Sequence, residues 1–280
     1  MQRRSVLAVF FIVGLSANAT AQEKSAEEIA QELSNPTAAL AGIGSNLDFQ
    51  ALDGDLAGAG DQNSFTYLFQ PSLPFPQDNG YNLLVRPAIP LVFQAPVLDG
   101  AGGFRNEGPE LGNIGFDVAY GTTYDSGLLF LFGVVGELPT NTDDAVGADQ
   151  WRLGPEVAIG LVKKWGVVGA LITHKWDVAG DDDPDTSITG GQYFYAFPLP
   201  KAWQIAAGPT WSYDQNGASS NKLTLPLGIG ISKTTVTAKG TPLKFAVQYW
   251  HYIESPDPLG PDWQIRFNFT PVIKVPWGKS

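Results

Sequence analysis

The chain has 280 residues, of which 44% are hydrophobic, and it carries a net charge of −11 at pH 7 without a single cysteine. The acidic balance argues against nucleic acid as a partner, and the lack of cysteine excludes a fold stapled by disulfides. After the first residues no run approaches 18 uninterrupted apolar positions, which excludes a transmembrane helix.

The first residues are typical of an export signal. Arg3 and Arg4 precede an apolar run from Ser5 to Leu15, and Ala19-Thr20-Ala21 offers a cleavage site flanked by small residues. The apolar run is too short for a membrane anchor, and no stop-transfer pattern follows it. We therefore predict a secretory signal peptide over residues 1–21.

Residues 22–44 contain the one segment with a helical pattern. Ser25 and Glu28 have the spacing of a capping box, and Asn35-Pro36 is expected to end the helix. Two interpretations of this segment remain open. It is either an arm in the periplasm or a partial plug of the domain that follows.

From about residue 45 to residue 280 the chain alternates strand-like runs with breaks, which predicts one all-β domain. In the last run Trp263, Ile265 and Phe267 share one face, opposite Gln264 and Arg266. A β-sandwich would show the same alternation. We predict twelve strands, centred on residues 46–52, 64–76, 80–94, 111–122, 127–138, 151–162, 165–176, 187–198, 202–212, 221–232, 242–253 and 262–274.

The breaks between these strands distinguish a barrel from a sandwich. They are alternately short, as at Asn79-Gly80 and Lys163-Lys164, and long. The long ones hold most of the 28 acidic residues and one basic residue, Arg105. Long loops at one rim and tight turns at the other indicate a transmembrane, antiparallel, up-and-down β-barrel. The turns and both ends of the barrel would face the periplasm, and the acidic loops the cell exterior.

Tryptophans near strand ends support a membrane barrel, whereas prolines inside the strands conflict with regular strand pairing. Tryptophans near strand ends predict an interfacial girdle: Trp151, Trp165, Trp176, Trp203, Trp211, Trp250, Trp263 and Trp277. Prolines within strands remove ladder donors, so we expect bulges there, or inward groups that replace the missing bonds. These are Pro71, Pro74, Pro87, Pro90, Pro155, Pro209, Pro226 and Pro271.

Seven motifs stand in a fixed order along the predicted barrel: Gln70 to Phe75, Arg86 to Leu91, Leu111 to Gly115, Leu138-Pro139-Thr140 before Asp143-Asp144, Leu153-Gly154-Pro155, His174-Lys175-Trp176 and Gly260 to Phe267. Together they resemble a family of bacterial outer-membrane barrels labelled transporters or phenol meta-cleavage pathway proteins. The resemblance covers about residue 35 to the end. It implies an outer-membrane barrel that takes up small, often aromatic or apolar molecules. One departure is that Gly278-Lys279-Ser280 follow the last aromatic residue, Trp277.

Polar residues on the inward strand faces are the candidate pore-lining residues, because a charge facing lipid at mid-depth costs roughly 2–4 kcal/mol. They could form a charged constriction that orients solutes. Alternatively, arginine–glutamate pairs could fill the lumen and hold the barrel rigid. The candidates are Arg86, Glu137, Arg152, Glu156, Gln192, Arg266 and Asn268.

Catalytic and metal chemistry find little support in the sequence. His174 and His251 lie near the predicted loop rim, and no serine stands in a recognisable nucleophile setting. An outer-membrane lipase is therefore the weakest alternative. The acidic loop residues Asp181, Asp182, Asp183 and Asp185 lack the glycine and closing glutamate of a calcium loop. We predict no enzyme, no metal site and no cofactor.

The polar inner face and the family resemblance together predict an outer-membrane passive channel for small solutes, and the resemblance implies that these are apolar or aromatic. Its expected partners are outer-membrane lipid, the solute and the barrel-assembly machinery. The alternative, from another class, is a structural or surface-binding barrel with a closed lumen. The sequence leaves the oligomeric state open.

Overall fold

The structure is a computed structural model, and it describes residues 24–180 and 185–273. One helix, α1 (Ala26–Glu32), precedes fifteen strand segments. The segments are β1 (Ala41–Asp53), β2 (Asn63–Pro76), β3 (Asn82–Leu98), β4 (Phe104–Glu107), β5 (Glu110–Leu111), β6 (Ile114–Thr123), β7 (Leu128–Leu138), β8 (Gln150–Lys163), β9 (Gly166–Gly180), β10 (Ser187–Leu199), β11 (Trp203–Ala207), β12 (Thr210–Asp214), β13 (Leu223–Val236), β14 (Pro242–Glu254) and β15 (Gly260–Ile273).

The segments close into an antiparallel barrel of twelve strands, which confirms the predicted fold. Each barrel strand pairs with the next, and β15 returns to β1, where Asp48 lies opposite Arg266. β11 and β12 are the two halves of one barrel strand, while β4 and β5 extend the pairing of β3 towards the loops. Closure satisfies the edge groups that an open sheet would leave unpaired. β1 begins at Ala41, before the predicted boundary at residue 45.

Side chains alternate between the two faces of the wall with the period of a strand. In β8, Val157 and Ile159 point outward, and Ile159 is 57% exposed. Glu156 and Ala158 on the same strand point inward and are almost fully buried. An apolar exterior combined with polar inward positions explains how a chain of ordinary mean hydropathy builds a membrane-facing surface.

The predicted turns connect β2 to β3, β6 to β7, β8 to β9, β10 to β11 and β13 to β14, and we call this rim the turn end. The opposite rim, which carries the longer connections, is the loop end. At the turn of residues 77–81, Gly80 has a φ of 82° and the Gln77 N–H donates to the Tyr81 carbonyl at 2.8 Å. Asn79 keeps a negative φ, so glycine alone takes the left-handed conformation in this turn.

The in-strand prolines interrupt the ladders in two different ways. The predicted bulge occurs at Pro226, where the register between β13 and β14 shifts. At Gly208-Pro209 the strand breaks instead, and inward amides replace its ladder bonds. The Gln192 side chain donates to the Gly208 carbonyl at 2.7 Å, and the Gly208 N–H donates to Gln248 Oε1 at 3.0 Å. The backbone groups of Gly208, which the strand break leaves outside the ladder, are thus bonded from the lumen side.

The tryptophan prediction is wrong for Trp250 and holds for most of the others. Trp151, Trp165, Trp176 and Trp203 are exposed on the outer face. Trp250 is 1% exposed and lies inside the barrel, because β14 alternates with Tyr249 and His251 outward. Trp211 shares the outward parity of Tyr213, which is 39% exposed, and Trp277 lies outside the described residues.

None of the helices among the described residues has the length and apolar character needed to span a membrane.

Candidate functional site

The barrel encloses a lumen cavity of about 830 Å³. Six of the seven predicted pore-lining residues contribute to its wall: Arg86, Glu137, Glu156, Gln192, Arg266 and Asn268. The seventh, Arg152, does not line the cavity but donates to Glu137, which does. Strand alternation therefore places these six side chains around one cavity.

One side of the cavity lies at the seam where β15 meets β1. Arg266 binds Asp48 with two hydrogen bonds, Nε to Oδ1 and Nη2 to Oδ2, both at 2.6 Å. The guanidinium carbon also lies 4.5 Å from the centre of the Trp250 ring. This arrangement is rigid, because the two hydrogen bonds to the carboxylate and the stacking on the indole ring both fix the plane of the guanidinium.

Uncharged side chains extend this seam network in both directions. Gln264 accepts from Gln50 Nε2 at 2.8 Å and from the Tyr252 hydroxyl at 3.1 Å, and it donates to Asp48 at 3.2 Å. Asn268 donates to Asn46 Oδ1 at 2.7 Å. A connected set of this kind holds the inner wall in one conformation.

The opposite wall carries three further ion pairs. Glu137 accepts from Arg152 Nη1 at 3.1 Å and also from Lys175 Nζ, so one carboxylate serves two cations. Arg86 Nε donates to Asp117 Oδ1 at 2.7 Å. Salt bridges thus join β7 to β8 and β9, and β3 to β6.

Glu156 is the exception among the inward charges. It is 2% exposed, and neither carboxylate oxygen has a hydrogen-bond partner in the described part of the chain. Gly133 and Thr173 flank it on the neighbouring strands, and its charge interacts with those of Asp117 and Arg86. The cavity wall at this point is therefore locally acidic.

The two interpretations of the inward charges turn out to be compatible. Arginine–carboxylate pairs do brace the wall, and a cavity remains between them. The sequence analysis included both members of the Arg152–Glu137 pair but missed three other partners, namely Asp48, Asp117 and Lys175. The alternation that places Arg86 and Arg266 inward also places these three residues inward, so the signal was present.

Apolar side chains share the cavity wall with the charged ones. They come from strands on several sides of the barrel: Leu68, Val135, Leu171, Ile188 and Phe194. The lining charges nearly cancel, with three cations (Arg86, Lys175 and Arg266) facing four carboxylates (Glu32, Asp117, Glu137 and Glu156). The cavity therefore offers apolar contact surface and little net charge.

The segment before β1 begins with a capped helix. The Ser25 hydroxyl accepts from the Glu28 N–H, and the Glu28 carboxylate accepts from the Ser25 N–H, which completes the predicted capping box. These bonds hold the pKa of the Glu28 carboxyl below its ordinary value, so the cap stays ionised at neutral pH. α1 ends at Glu32, and Ile29 and Ala30 on its inner side are buried.

The residues of and after α1 bond to strands around the turn end of the lumen. On one side, Ser34 Oγ lies 3.1 Å from Gln204 Oε1 of β11 and accepts from Lys244 Nζ of β14 at 3.2 Å. On the other side, the Thr37 and Thr123 hydroxyls are 2.8 Å apart, and Asn82 Nδ2 donates to the Thr37 carbonyl at 2.6 Å. The segment thus bridges β11 and β14 to β3 and β6 across the barrel interior.

The remaining candidates lie at the loop end. Asp185 is exposed, and its carbonyl accepts from Asn216 Nδ2, whereas Asp181, Asp182 and Asp183 lie outside the described residues. His174 Nδ1 is 2.8 Å from the Thr189 hydroxyl, and His251 Nδ1 is 3.8 Å from Asp262 Oδ1. The described contacts of both histidines therefore involve a threonine and an aspartate instead of a serine nucleophile.

Glu137 provides a direct test of the electrostatics of this wall. In Glu137→Gln, Arg152 and Lys175 lose their carboxylate, and the lumen gains one net positive charge. Removing a carboxylate that interacts with a passing ion by about 0.5 kcal/mol disfavours potassium and favours chloride, which together should lower the potassium-to-chloride permeability ratio roughly fivefold. Reversal potentials in a KCl gradient across planar bilayers measure this ratio. Glu254→Gln, an exposed carboxylate at the loop end, is the control, and an equal shift in both variants would contradict the assignment.

Comparisons with known proteins agree with the barrel. No protein-family model and no curated protein matches the chain. Among solved structures, the COG4313 outer membrane channel from Pseudomonas putida F1 has a TM-score of 0.64 at 12% identity and covers 84% of this chain and 96% of that one. The NanC porin has a TM-score of 0.50 at 11% identity and covers 82% of this chain and 100% of that one. At such identities the likeness is one of fold, and the fold is that of outer-membrane barrels.

Proposed function

We propose that the protein is a passive channel of the bacterial outer membrane for small solutes. The observation that carries the proposal is the 830 Å³ cavity inside a closed barrel, lined by side chains from opposite walls. The similar barrel from Pseudomonas putida F1 is described as an outer membrane channel, which supports the same role here. Residues 1–21 would direct export, and the barrel-assembly machinery would insert the chain from the periplasmic side.

The favoured solutes carry little net charge and have apolar or aromatic character. The lining charges nearly cancel, and Phe194 and Leu171 offer contacts to a ring. Polar networks at the seam could bind a hydroxyl or carbonyl on the same molecule. The resemblance to proteins labelled with phenol meta-cleavage supports aromatic solutes as well.

Residues 24–40 act as a partial plug of the turn end. Their bonds to Gln204, Lys244, Thr123 and Asn82 support this role over that of a free periplasmic arm. The plug narrows the periplasmic mouth, so solute access depends on its position.

Current block in planar bilayers tests the solute class. Catechol, an uncharged aromatic diol, should interrupt the ion current at a roughly three- to tenfold lower concentration than ribose, because stacking on lumen aromatic rings adds about 0.5–1.5 kcal/mol. Phe194→Ala should reduce the difference, and Phe197→Ala, an aromatic residue on the outer face, should not. Equal blocking by both solutes would contradict the aromatic preference without affecting the channel itself.

A closed-lumen barrel whose loops bind a surface partner is the second candidate. The plug segment is the observation that favours it, since a permanently seated plug would close the turn end. This candidate predicts no conductance in the intact protein. Neither candidate assigns an enzymatic activity to the barrel, and among the described residues His174 contacts Thr189 and His251 contacts Asp262.

A further inference from the structure

A groove of about 690 Å³ crosses the outer face of the barrel near the turn end. Its walls are apolar and aromatic side chains that point away from the lumen. They belong to β11, β13, β14, β15, β1 and β2: Trp203, Ile231, Phe245, Val247, Phe267, Phe269, Leu47 and Tyr67. The groove lies across the seam at which the barrel closes.

The strand register explains why this part of the exterior is concave. One row of opposed residues runs from Trp203 through Lys233, Phe245 and Phe269 to Ser45. Ser45 has Phe269 on one side and Phe69 on the other, so a small side chain interrupts an aromatic row. The Ser45 hydroxyl is paired with the Tyr67 hydroxyl at 3.0 Å, which satisfies both groups at the groove floor.

Lys233 places a cation at one end of the groove. It lies three residues before the end of β13, its Nζ donates to the Lys201 carbonyl, and it is 5.4 Å from the centre of the Trp203 ring. No carboxylate of the described ranges 24–180 and 185–273 forms an ion pair with it. A lysine near the end of a membrane-spanning strand extends its ammonium to the interface, where lipid phosphates lie.

From these observations we propose that the groove binds one phospholipid of the turn-end leaflet. The phosphate would pair with the Lys233 ammonium beside Trp203, and an acyl chain would lie along the apolar walls towards Ser45. Lys233 and Ser45 are three strand spacings apart, about 14 Å, which suits a chain lying across the strands. The inference rests on the barrel fold and is independent of channel activity.

Native mass spectrometry tests the proposal on the full mature chain. Protein is delipidated in dodecyl maltoside and incubated with a phosphatidylglycerol or with a diacylglycerol that has the same acyl chains. We expect one retained phosphatidylglycerol and little retained diacylglycerol. Lys233→Gln should lower the retained fraction roughly fivefold, Lys233→Arg should keep it, and Ser45→Phe should lower it by filling the groove.

Lys163→Gln is the matched control. Lys163 is the last residue of β8, at the turn end, and its Nζ donates to the Ser126 carbonyl at 2.5 Å. It does not belong to the lining of this groove. Its replacement should leave lipid retention unchanged. The proposal would be overturned if Lys163→Gln and Lys233→Gln retained the same amount of phosphatidylglycerol. It would also be overturned if the unaltered protein retained as much diacylglycerol as phosphatidylglycerol. A dimer that disappears in Ser45→Phe would overturn it too, since a second copy would then occupy the groove.

Discussion

Deleting residues 24–38 should roughly double the single-channel conductance or raise it further, because the pore radius at the turn end then depends on the barrel alone. The deleted segment bridges the lumen through Ser34 and Thr37, which bond to strands on opposite sides. The barrel keeps its own pairing, since β1 begins at Ala41 and is bonded to both β15 and β2. Conductance of the refolded variant in planar bilayers measures the effect.

Two controls separate plugging from a general effect of the N-terminal residues. Glu27→Gln alters an exposed residue of α1 and should keep the wild-type conductance. Thr37→Cys/Thr123→Cys can form a disulfide where the two hydroxyls are 2.8 Å apart, and the chain has no other cysteine. If the segment moves during conduction, oxidation should lower the current and reduction should restore it. A deletion variant with unchanged conductance would contradict the plug.

Asp48→Asn should lower the free energy of unfolding by about 3 kcal/mol, because it leaves the Arg266 guanidinium without its carboxylate. Screening by water is small at this site, since the two side chains are 13% and 15% exposed. The pair joins β1 to β15, so its loss weakens the seam that closes the barrel. Urea unfolding of protein reconstituted in vesicles, followed by tryptophan fluorescence, measures the change.

The double variant Asp48→Asn/Arg266→Gln shows whether the single variant is destabilised by an unpaired guanidinium or by a general disturbance of the barrel wall. Removing both charges should recover part of the stability that the single variant loses, because no uncompensated cation remains inside. A double variant less stable than Asp48→Asn would contradict the account. It would indicate that Arg266 is held chiefly by Trp250 and the amide network.

The sequence predicts the strands and their faces because both follow from a local pattern. Period-two alternation placed Arg86 and Arg266 in the lumen, and the breaks between runs indicated a barrel of twelve strands. Trp250 was misplaced because its position near a strand end was weighed above its parity, which puts it inside.

The partners within the lumen depend on register and on packing across the barrel, which local patterns do not encode. Asp48 and Arg266 are 218 positions apart and meet only because the first and last strands close with one particular stagger. The contact between Ser34 and Lys244 requires knowing that the N-terminal segment folds back into the barrel. The break at Gly208-Pro209 is tolerated because Gln192 reaches it from the neighbouring strand β10 and Gln248 reaches it from β14, one strand beyond β13.

Cysteine modification is the most direct test of whether solute passes through the lumen. Ser72 lines the cavity, whereas Ser45 lies on the outer face, so Ser72→Cys and Ser45→Cys place the same thiol on opposite sides of the wall. A trimethylammonium methanethiosulfonate reagent should reduce the current through Ser72→Cys and leave that through Ser45→Cys unchanged. The absence of any conductance, or equal responses of the two variants, would contradict passage through the lumen.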